Sequence, residues 1–137
     1  MSSSYISATL RKLIADRAKG QCEYCLVLES EVLLAYQPDH IIARQHGGES
    51  TAKNLAFACV HCNRNKGPNI ASINPNSGQL TPLFNPRTQI WADHFLLEGA
   101  YIQPLTPIGR VTIQLFKLNH PERLRIRQAL IEMGKYP

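Results

Sequence analysis

Apolar residues in the first part of the chain recur first at helical spacing and then at strand spacing. Leu10, Leu13 and Ile14 share one face of a helix. Ser7 is a suitable residue to cap the start of this helix, and Gly20 follows its end. The pattern predicts a short amphipathic helix that leads directly to the first cysteine of the chain.

Two short apolar runs and a polar loop follow. The apolar run at 32–36 contains the β-branched Val32 and the aromatic Tyr36, and it predicts a strand that continues through Pro38 and ends at Asp39-His40. Residues 54–58 form the second run, and the loop between the runs contains Gly47-Gly48. The pattern predicts a β-hairpin, followed by a helix that begins near Cys59 and stops at Gly67.

The second half of the chain is punctuated by turn residues. Residues 68–84 contain Asn, Pro and Gly without a regular period, which predicts a long loop. Helix-start signals occur at Asn85-Pro86 and Thr106-Pro107. Asn119 followed by Glu122 is typical of a capping box before a last helix. Residues 68–137 are therefore predicted to be a loop and helical C-terminal extension.

Composition places the chain among compact proteins. It has 137 residues, 44% of them hydrophobic, with nine prolines and eight glycines, which predicts a single globular domain with many turns. No apolar run approaches about 18 residues, and no charged segment followed by an apolar one opens the chain. We therefore expect no membrane span and no secretion signal, and we expect the protein to be cytoplasmic.

Charge favours an acidic partner, and nucleic acid is the usual one. The formal net charge is +5, and no Asp or Glu occurs between Ser50 and Ala92. Residues 110–137 add six basic side chains against two acidic ones. An ordinary solvated basic surface is the alternative interpretation of the same charges.

Four cysteines occur as two Cys-x-x-Cys pairs, Cys22/Cys25 and Cys59/Cys62. A two-residue spacer lets both sulfurs of a pair face one ion, and two such pairs are typical of a tetrahedral zinc site. In a reducing compartment, paired cysteines bind metal more often than they form disulfides. The sequence therefore predicts a structural zinc on these four residues.

The residues between and after the cysteines resemble a known family. Asp39-His40, Gly47-Gly48, Asn54, Asn63 and Lys66-Gly67 occur in the order found in the zinc-clipped HNH endonucleases. The intervals from His40 to Asn54 and from Asn54 to Asn63 are similar to those of the HNH domain of CRISPR effector proteins. The tail from Leu83 to Phe95 also resembles that of short, stand-alone bacterial HNH proteins.

This resemblance implies an α+β fold with a ββα-metal core, also called a His-Me finger, at residues 22–67, with a four-cysteine zinc clip and flanking helices. It implies a metal-dependent hydrolase of DNA phosphodiester bonds that leaves 5′-phosphate and 3′-hydroxyl ends. DNA is then the expected partner, contacted mainly through its phosphates.

The resemblance also assigns roles to four residues. Asp39 and Asn63 would hold one catalytic Mg²⁺ or Mn²⁺ ion, since hard cations prefer oxygen ligands. His40 would be the general base, because an imidazole with a pKa of about 6.5 can accept a proton at neutral pH. Asn54 would accept a hydrogen bond from His40. Successive strand residues point to opposite faces, so we expect a bulge, a twist or the strand end at Asp39-His40.

Basic residues flank the predicted site and could contact phosphate. The candidates are Arg44, Arg64, Lys66 and His46. A zinc-stapled nucleic-acid-binding module without activity is the rival function, because it would share the cysteines and the basic surface. Binding alone does not require Asp39, His40, Asn54 and Asn63 together, and their presence favours the nuclease.

The dispersed basic residues predict the character of DNA binding. No helix-turn-helix or finger array is visible, so the contacts should be to phosphate and should depend little on base sequence. We expect the affinity measured by fluorescence anisotropy to fall steeply as salt is raised. A salt-independent affinity, or a preference above about 10³-fold for one site over random DNA, would contradict this expectation.

Overall fold

The computed structural model describes residues 5–137. They belong to two compact units, the first ending at Ile70 and the second spanning Ala71–Pro137. The boundary lies close to residue 68, where the sequence predicted that the core gives way to the extension. That the two units form a single domain stays a prediction. Within residues 5–137, no helix has both the length and the apolar character needed to cross a membrane.

The first unit contains a helix, a hairpin and a second helix, with short 3-10 turns between them. Helix α1 spans Ala8–Arg17, strand β1 spans Gln37–His40, strand β2 spans Leu55–Ala58 and helix α2 spans Val60–Lys66. The two strands pair antiparallel, with Gln37 opposite Ala58 and His40 opposite Leu55. Every residue of β2 is buried. The predicted α+β fold with a ββα core and flanking helices is confirmed.

Helix α1 begins as its sequence predicts. The hydroxyl of Ser7 accepts a hydrogen bond from the amide of Leu10 at 3.1 Å. Ile14 is fully buried, whereas Leu13 is half exposed, so the buried face is narrower than the apolar pattern suggests. At the last turn Arg17 donates to the carbonyl of Leu55 at 2.7 Å. This bond ties the helix to the first residue of β2.

The predicted strand at 32–36 is wrong. Residues 32–34 form bends, Leu33 is fully exposed, and the strand begins only at Gln37. Tyr36 closes the preceding loop because its amide donates to a Glu29 carboxylate oxygen at 2.8 Å. Its ring also packs on Phe57, with centroids 5.2 Å apart. The β propensity of the run is overridden because, among residues 5–137, no strand pairs with it to complete its hydrogen bonds.

The second unit contains two hairpins and three helices. Its elements are β3 (Ala71–Ile73), β4 (Leu80–Pro82), α3 (Trp91–His94), β5 (Phe95–Glu98), β6 (Tyr101–Pro104), α4 (Pro107–Phe116) and α5 (Pro121–Glu132). Strands β3 and β4 pair antiparallel, as do β5 and β6. The prediction of an irregular loop over 68–84 is therefore wrong, because it missed the β3–β4 hairpin. The helix predicted after Asn85-Pro86 is reduced to the four residues of α3.

The caps of the last two helices follow the sequence only in part. The hydroxyl of Thr106 accepts from the amide of Gly109 at 3.1 Å, which confirms the predicted start of α4. Helix α5 is instead capped by His120, whose ring nitrogen accepts from the Glu122 amide. Asn119 is not the cap, because its amide group bonds both backbone groups of Ile102.

Two arginines of the second unit are structural. Arg127 is almost fully buried, and its Nε donates to the carbonyl of Ala100 at 2.7 Å. Arg123 is also buried and donates to the carbonyl of Phe116 at 2.8 Å. Two of the six basic residues at 110–137 thus bond buried carbonyl groups, and their charges are not on the surface.

Candidate functional site

The four cysteines meet in one buried cluster. Their sulfur atoms all lie within 4.8 Å of one another, and the Cys25 and Cys59 sulfurs are 3.7 Å apart. Tetrahedral zinc with bonds of about 2.3 Å places its sulfur ligands about 3.8 Å apart. The donor set and its spacing therefore fit a zinc ion, and the predicted metal cluster is confirmed.

Tight local turns aim these thiols inward. The amide of Cys22 donates to the carbonyl of Val27, and Leu26 closes the turn with a φ of 70°. The amide of Cys59 donates to the Cys22 sulfur at 3.4 Å. Cys59 is also the N-cap of α2, where its sulfur accepts from the amide of Cys62. Amide donors directed at sulfur stabilise the thiolate form that a metal requires.

Proton binding to the thiols competes with metal binding. Burial raises the pKa of Cys22 and of Cys62 well above the ordinary thiol value. Hydrogen bonding with Cys22 lowers the pKa of Cys59. Metal binding at this cluster must therefore release protons, so affinity falls as the solution becomes more acidic.

The first cysteine turn also holds strand β2. The amide of Glu23 donates to the carbonyl of Phe57 at 2.9 Å. In return, the amide of Phe57 donates to a carboxylate oxygen of Glu23 at 2.8 Å. One edge of β2 is thus paired with β1, and the clip bonds the other edge at Phe57.

Asp39 is enclosed by two side chains, one from the first cysteine turn and one from helix α2. Its side chain is 3% exposed, and the hydroxyl of Tyr24 donates to Oδ2 at 2.8 Å. The ammonium of Lys66 lies 3.4 Å from Oδ1 and donates to the carbonyl of His40 at 2.8 Å. Burial raises the pKa of Asp39, while the positive charge of Lys66 opposes the rise. Burial likewise raises the pKa of Tyr24 well above its ordinary value.

Lys66 therefore differs from its predicted role as a surface phosphate contact. Its side chain is 1% exposed and fully engaged inside the unit. The signal was present in the sequence, because Lys66 lies four residues after Cys62 and so shares the buried face of α2. Tyr24, enclosed within the first Cys-x-x-Cys pair, was missed for a different reason: only the fold brings its hydroxyl to Asp39.

His40 lies at the end of β1. The pairing of Asp39 with Ala56 and of His40 with Leu55 is regular, so the expected irregularity takes the form of a strand end. The Nε2 atom of His40 lies 2.9 Å from the Ser50 hydroxyl oxygen. Burial lowers the pKa of the imidazole, and the nearby charges of Arg44 and Lys66 lower it further. The ring is therefore neutral and able to accept a proton at neutral pH.

Asn54 makes contacts that differ from the prediction. Its Oδ1 accepts from the amide of Ile42, and its Nδ2 donates to the carbonyls of Ile42 and Glu49, each at 2.9 Å. The predicted Asn54–His40 hydrogen bond is therefore wrong, because backbone groups occupy the Asn54 amide. Asn54 instead closes the loop that carries Ser50, the residue bonded to His40. Ser50 had no distinguishing signal in the sequence.

Gly48 is required by the same loop closure. A β-carbon added at this position would lie 1.7 Å from the carbonyl oxygen of Ile42 and 2.8 Å from the Asn54 Nδ2. Both groups belong to the Asn54 contacts described above. The second glycine of the Gly-Gly pair is thus needed for close approach, whereas Gly47 has the positive φ of 91°.

The remaining predicted residues lie around these contacts. Asn63 is half buried, one turn before Lys66 on α2, and its side-chain amide makes no hydrogen bond to the described residues. Arg64 and His46 are exposed, and Arg44 is half buried with one nitrogen 3.3 Å from the Ser50 hydroxyl. Of the four residues predicted to contact phosphate, Arg64 and His46 are therefore at the surface, and Arg44 is partly accessible.

Comparison with known proteins identifies this region. Residues 22–69 match the family model described as HNH endonuclease, which covers 48 of the 137 residues. No curated protein and no solved structure matches the chain significantly. The match assigns residues 22–69 to an HNH endonuclease domain, as the sequence predicted, and the four cysteines of this domain are positioned to bind a metal ion. Such a domain indicates nuclease activity.

Loss of one thiol should unfold the first unit rather than only weaken metal binding. Structural zinc contributes about 10–16 kcal/mol in small domains, which equals or exceeds the stability of about 5–15 kcal/mol typical of a whole protein. We expect one zinc per chain by native mass spectrometry in the wild type and none in Cys59→Ser, with loss of the cooperative melt by circular dichroism. Folded, zinc-free wild type or a Cys59–Cys62 disulfide would contradict the assignment.

Replacement of Gly48 should destabilise the loop that orients His40. In Gly48→Ala the new methyl group meets backbone, which cannot move aside as a side chain can, so we expect a loss of about 1–3 kcal/mol of stability in urea titrations. Gly47→Asn is the matched control, because Asn tolerates a positive φ and nothing lies within 4 Å of that position. Equal stability of Gly48→Ala and wild type would show that the loop closure is looser than described.

Proposed function

We propose that this protein is a metal-dependent endonuclease that hydrolyses DNA phosphodiester bonds, with His40 as the general base. The observation that carries the proposal is that a neutral imidazole and a buried carboxylate occupy adjacent positions at the end of β1, inside an HNH endonuclease domain. Neither group is needed to hold the zinc clip or to bind phosphate.

His40 suits the task of activating water. Its ring is held by Ser50 through one nitrogen and has a lowered pKa, so at neutral pH it is unprotonated. A positioned base of this kind contributes about 10²-fold to 10⁴-fold to a hydrolysis rate. The Ser50 bond fixes the ring and so reduces the orientational freedom lost when water and phosphate are brought together.

Asp39 and Asn63 would hold the catalytic Mg²⁺ or Mn²⁺ ion. Both offer oxygen atoms, and the ammonium of Lys66, 3.4 Å from Oδ1 of Asp39, supports a place for positive charge beside this carboxylate. When bound, the ion supplies positive charge to the phosphate and stabilises the departing alkoxide. Tyr24 keeps the carboxylate oriented through its bond to Oδ2.

The proposed reaction is an in-line displacement at phosphorus. His40 takes one proton from a water molecule, the water oxygen bonds to phosphorus, and the bond between phosphorus and the 3′ oxygen breaks. The departing oxygen takes a proton from solvent and becomes a 3′-hydroxyl, while the phosphate stays on the 5′ end. Arg64, His46 and the accessible part of Arg44 would contact the DNA phosphates.

Single-turnover cleavage of supercoiled plasmid tests the base. In His40→Ala we expect a rate lower by about 10²-fold to 10⁴-fold, with zinc content, melting temperature and DNA affinity unchanged. His61→Ala is the matched control, since that imidazole is exposed on α2 and has no proposed role. If His40→Ala cleaves like wild type, another group is the base. If wild type cleaves nothing with any divalent ion, the rival binding module is correct.

Asn63→Ala tests the ion separately. Loss of the Asn63 amide should weaken the affinity for the ion. We therefore expect the cleavage rate to fall at low Mg²⁺ and to recover partly as the Mg²⁺ or Mn²⁺ concentration is raised. His40→Ala should show no such recovery, because added ion does not replace the lost base. Identical metal dependence of Asn63→Ala and wild type would remove Asn63 from the proposed ligand set.

A further inference from the structure

We infer that Lys66 is an internal cation that competes with the divalent ion for Asp39, so that the ion binds only when the ammonium leaves the carboxylate. This inference rests on the proposed function, because it takes Asp39 as a ligand of the ion. It assigns to Lys66 a positioning and regulatory role that the family match does not specify.

The geometry leaves Asp39 no unengaged oxygen. Oδ2 accepts from the Tyr24 hydroxyl at 2.8 Å, and Oδ1 faces the Lys66 ammonium at 3.4 Å. Both oxygens are inside the unit, since Asp39 is 3% exposed and Lys66 is 1% exposed. An approaching Mg²⁺ ion needs an Asp39 oxygen at about 2.0–2.1 Å, so at Oδ1 it would lie beside the ammonium.

Two cations beside one buried oxygen repel each other strongly. In an interior of low effective dielectric the repulsion is several times larger than in water, and no second carboxylate is paired with Lys66 among the described residues. The flexible four-carbon stem of lysine allows the ammonium to swing away from the carboxylate. Its bond to the His40 carbonyl at 2.8 Å offers a partner that it can retain as it does so.

The ion pair also explains how the metal-free protein keeps Asp39 buried. An unpaired carboxylate in the interior is strongly destabilising, and the ammonium compensates its charge. Lys66 would thus neutralise the Asp39 carboxylate in the metal-free protein, and the divalent ion would neutralise it in the metal-bound protein. A purely structural Lys66, in contrast, would stay paired with Asp39 while the ion binds.

Manganese affinity distinguishes these roles. Mn²⁺ binding to the full-length, zinc-loaded protein without DNA can be measured by electron paramagnetic resonance. If the ammonium holds Asp39 in about nine molecules of ten, the apparent affinity of wild type is about tenfold weaker than that of the free site. We therefore expect Lys66→Met to bind Mn²⁺ about tenfold more tightly. Lys53→Met, which removes an exposed positive charge, should bind like wild type.

Asp39→Asn separates this inference from the proposed function. Tighter binding in Lys66→Met that is lost in the Lys66→Met/Asp39→Asn double variant supports the competition. If Asp39→Asn abolishes binding but Lys66→Met matches wild type or binds more weakly, the inference fails and the ion site stands. If Asp39→Asn and wild type bind Mn²⁺ equally, or neither binds it, the ion is not at Asp39, and both the site and the inference fail.

Labelling of wild type keeps the test decisive even if Lys66→Met does not fold. An amine-acetylating reagent, read by peptide mass spectrometry, should modify Lys66 slowly without Mn²⁺ and several-fold faster with it, because the displaced ammonium leaves its buried partner. Lys53 serves as the internal reference, since its exposure should not change. Unchanged Lys66 labelling at saturating Mn²⁺ would overturn the inference.

Discussion

The buried cluster of four cysteines is the constraint on which the first unit depends. It joins Cys25 to Cys59, which are 34 residues apart in the chain, and the elements that carry these thiols also carry the groups that shape the candidate active site. Tyr24 comes from the first cysteine turn and Lys66 from the helix that Cys59 caps, and both reach Asp39. The cysteine cluster and the candidate active site are thus connected through the side chains of Tyr24 and Lys66.

Strand alternation divides the chemistry of β1 between two sides. Asp39 faces the clip and its interior charges, whereas His40, the last residue of the strand, faces the loop that Asn54 closes. The proposed metal ligand and the proposed base are therefore adjacent in sequence but supported by different contacts. Disturbance of the clip should affect Asp39 first, and disturbance of the loop, for instance at Gly48, should affect His40 first.

The sequence predicted the elements whose signals are local. Cysteine spacing identified the metal cluster, and the caps Ser7 and Thr106 marked their helices correctly. The failures have different causes. The run at 32–36 has strand propensity, but no strand among residues 5–137 pairs with it. The irregular composition of 68–84 gave no sign of a hairpin whose two strands have three residues each.

The sequence identified several candidate site residues, but it did not predict which groups their side chains contact. Asn54 and Lys66 were marked as site residues from their positions in the motif, yet their partners depended on the burial and register of elements far along the chain. An amide can bond an imidazole or a backbone equally well, so residue type alone could not choose between His40 and Ile42. Likewise, a lysine on a short helix could face solvent or a buried carboxylate until the position of β1 was known.

Helix α2 contributes Cys62 to the cysteine cluster and Asn63 to the proposed catalytic ion site, and anomalous diffraction from crystals grown with Mn²⁺ can locate both metals. Data collected on either side of the zinc absorption edge, and near the manganese edge, locate each element independently. We expect one zinc peak among the sulfurs of Cys22, Cys25, Cys59 and Cys62, and one manganese peak beside Asp39 and Asn63. Manganese bound away from Asp39, or a cysteine cluster without zinc, would contradict it.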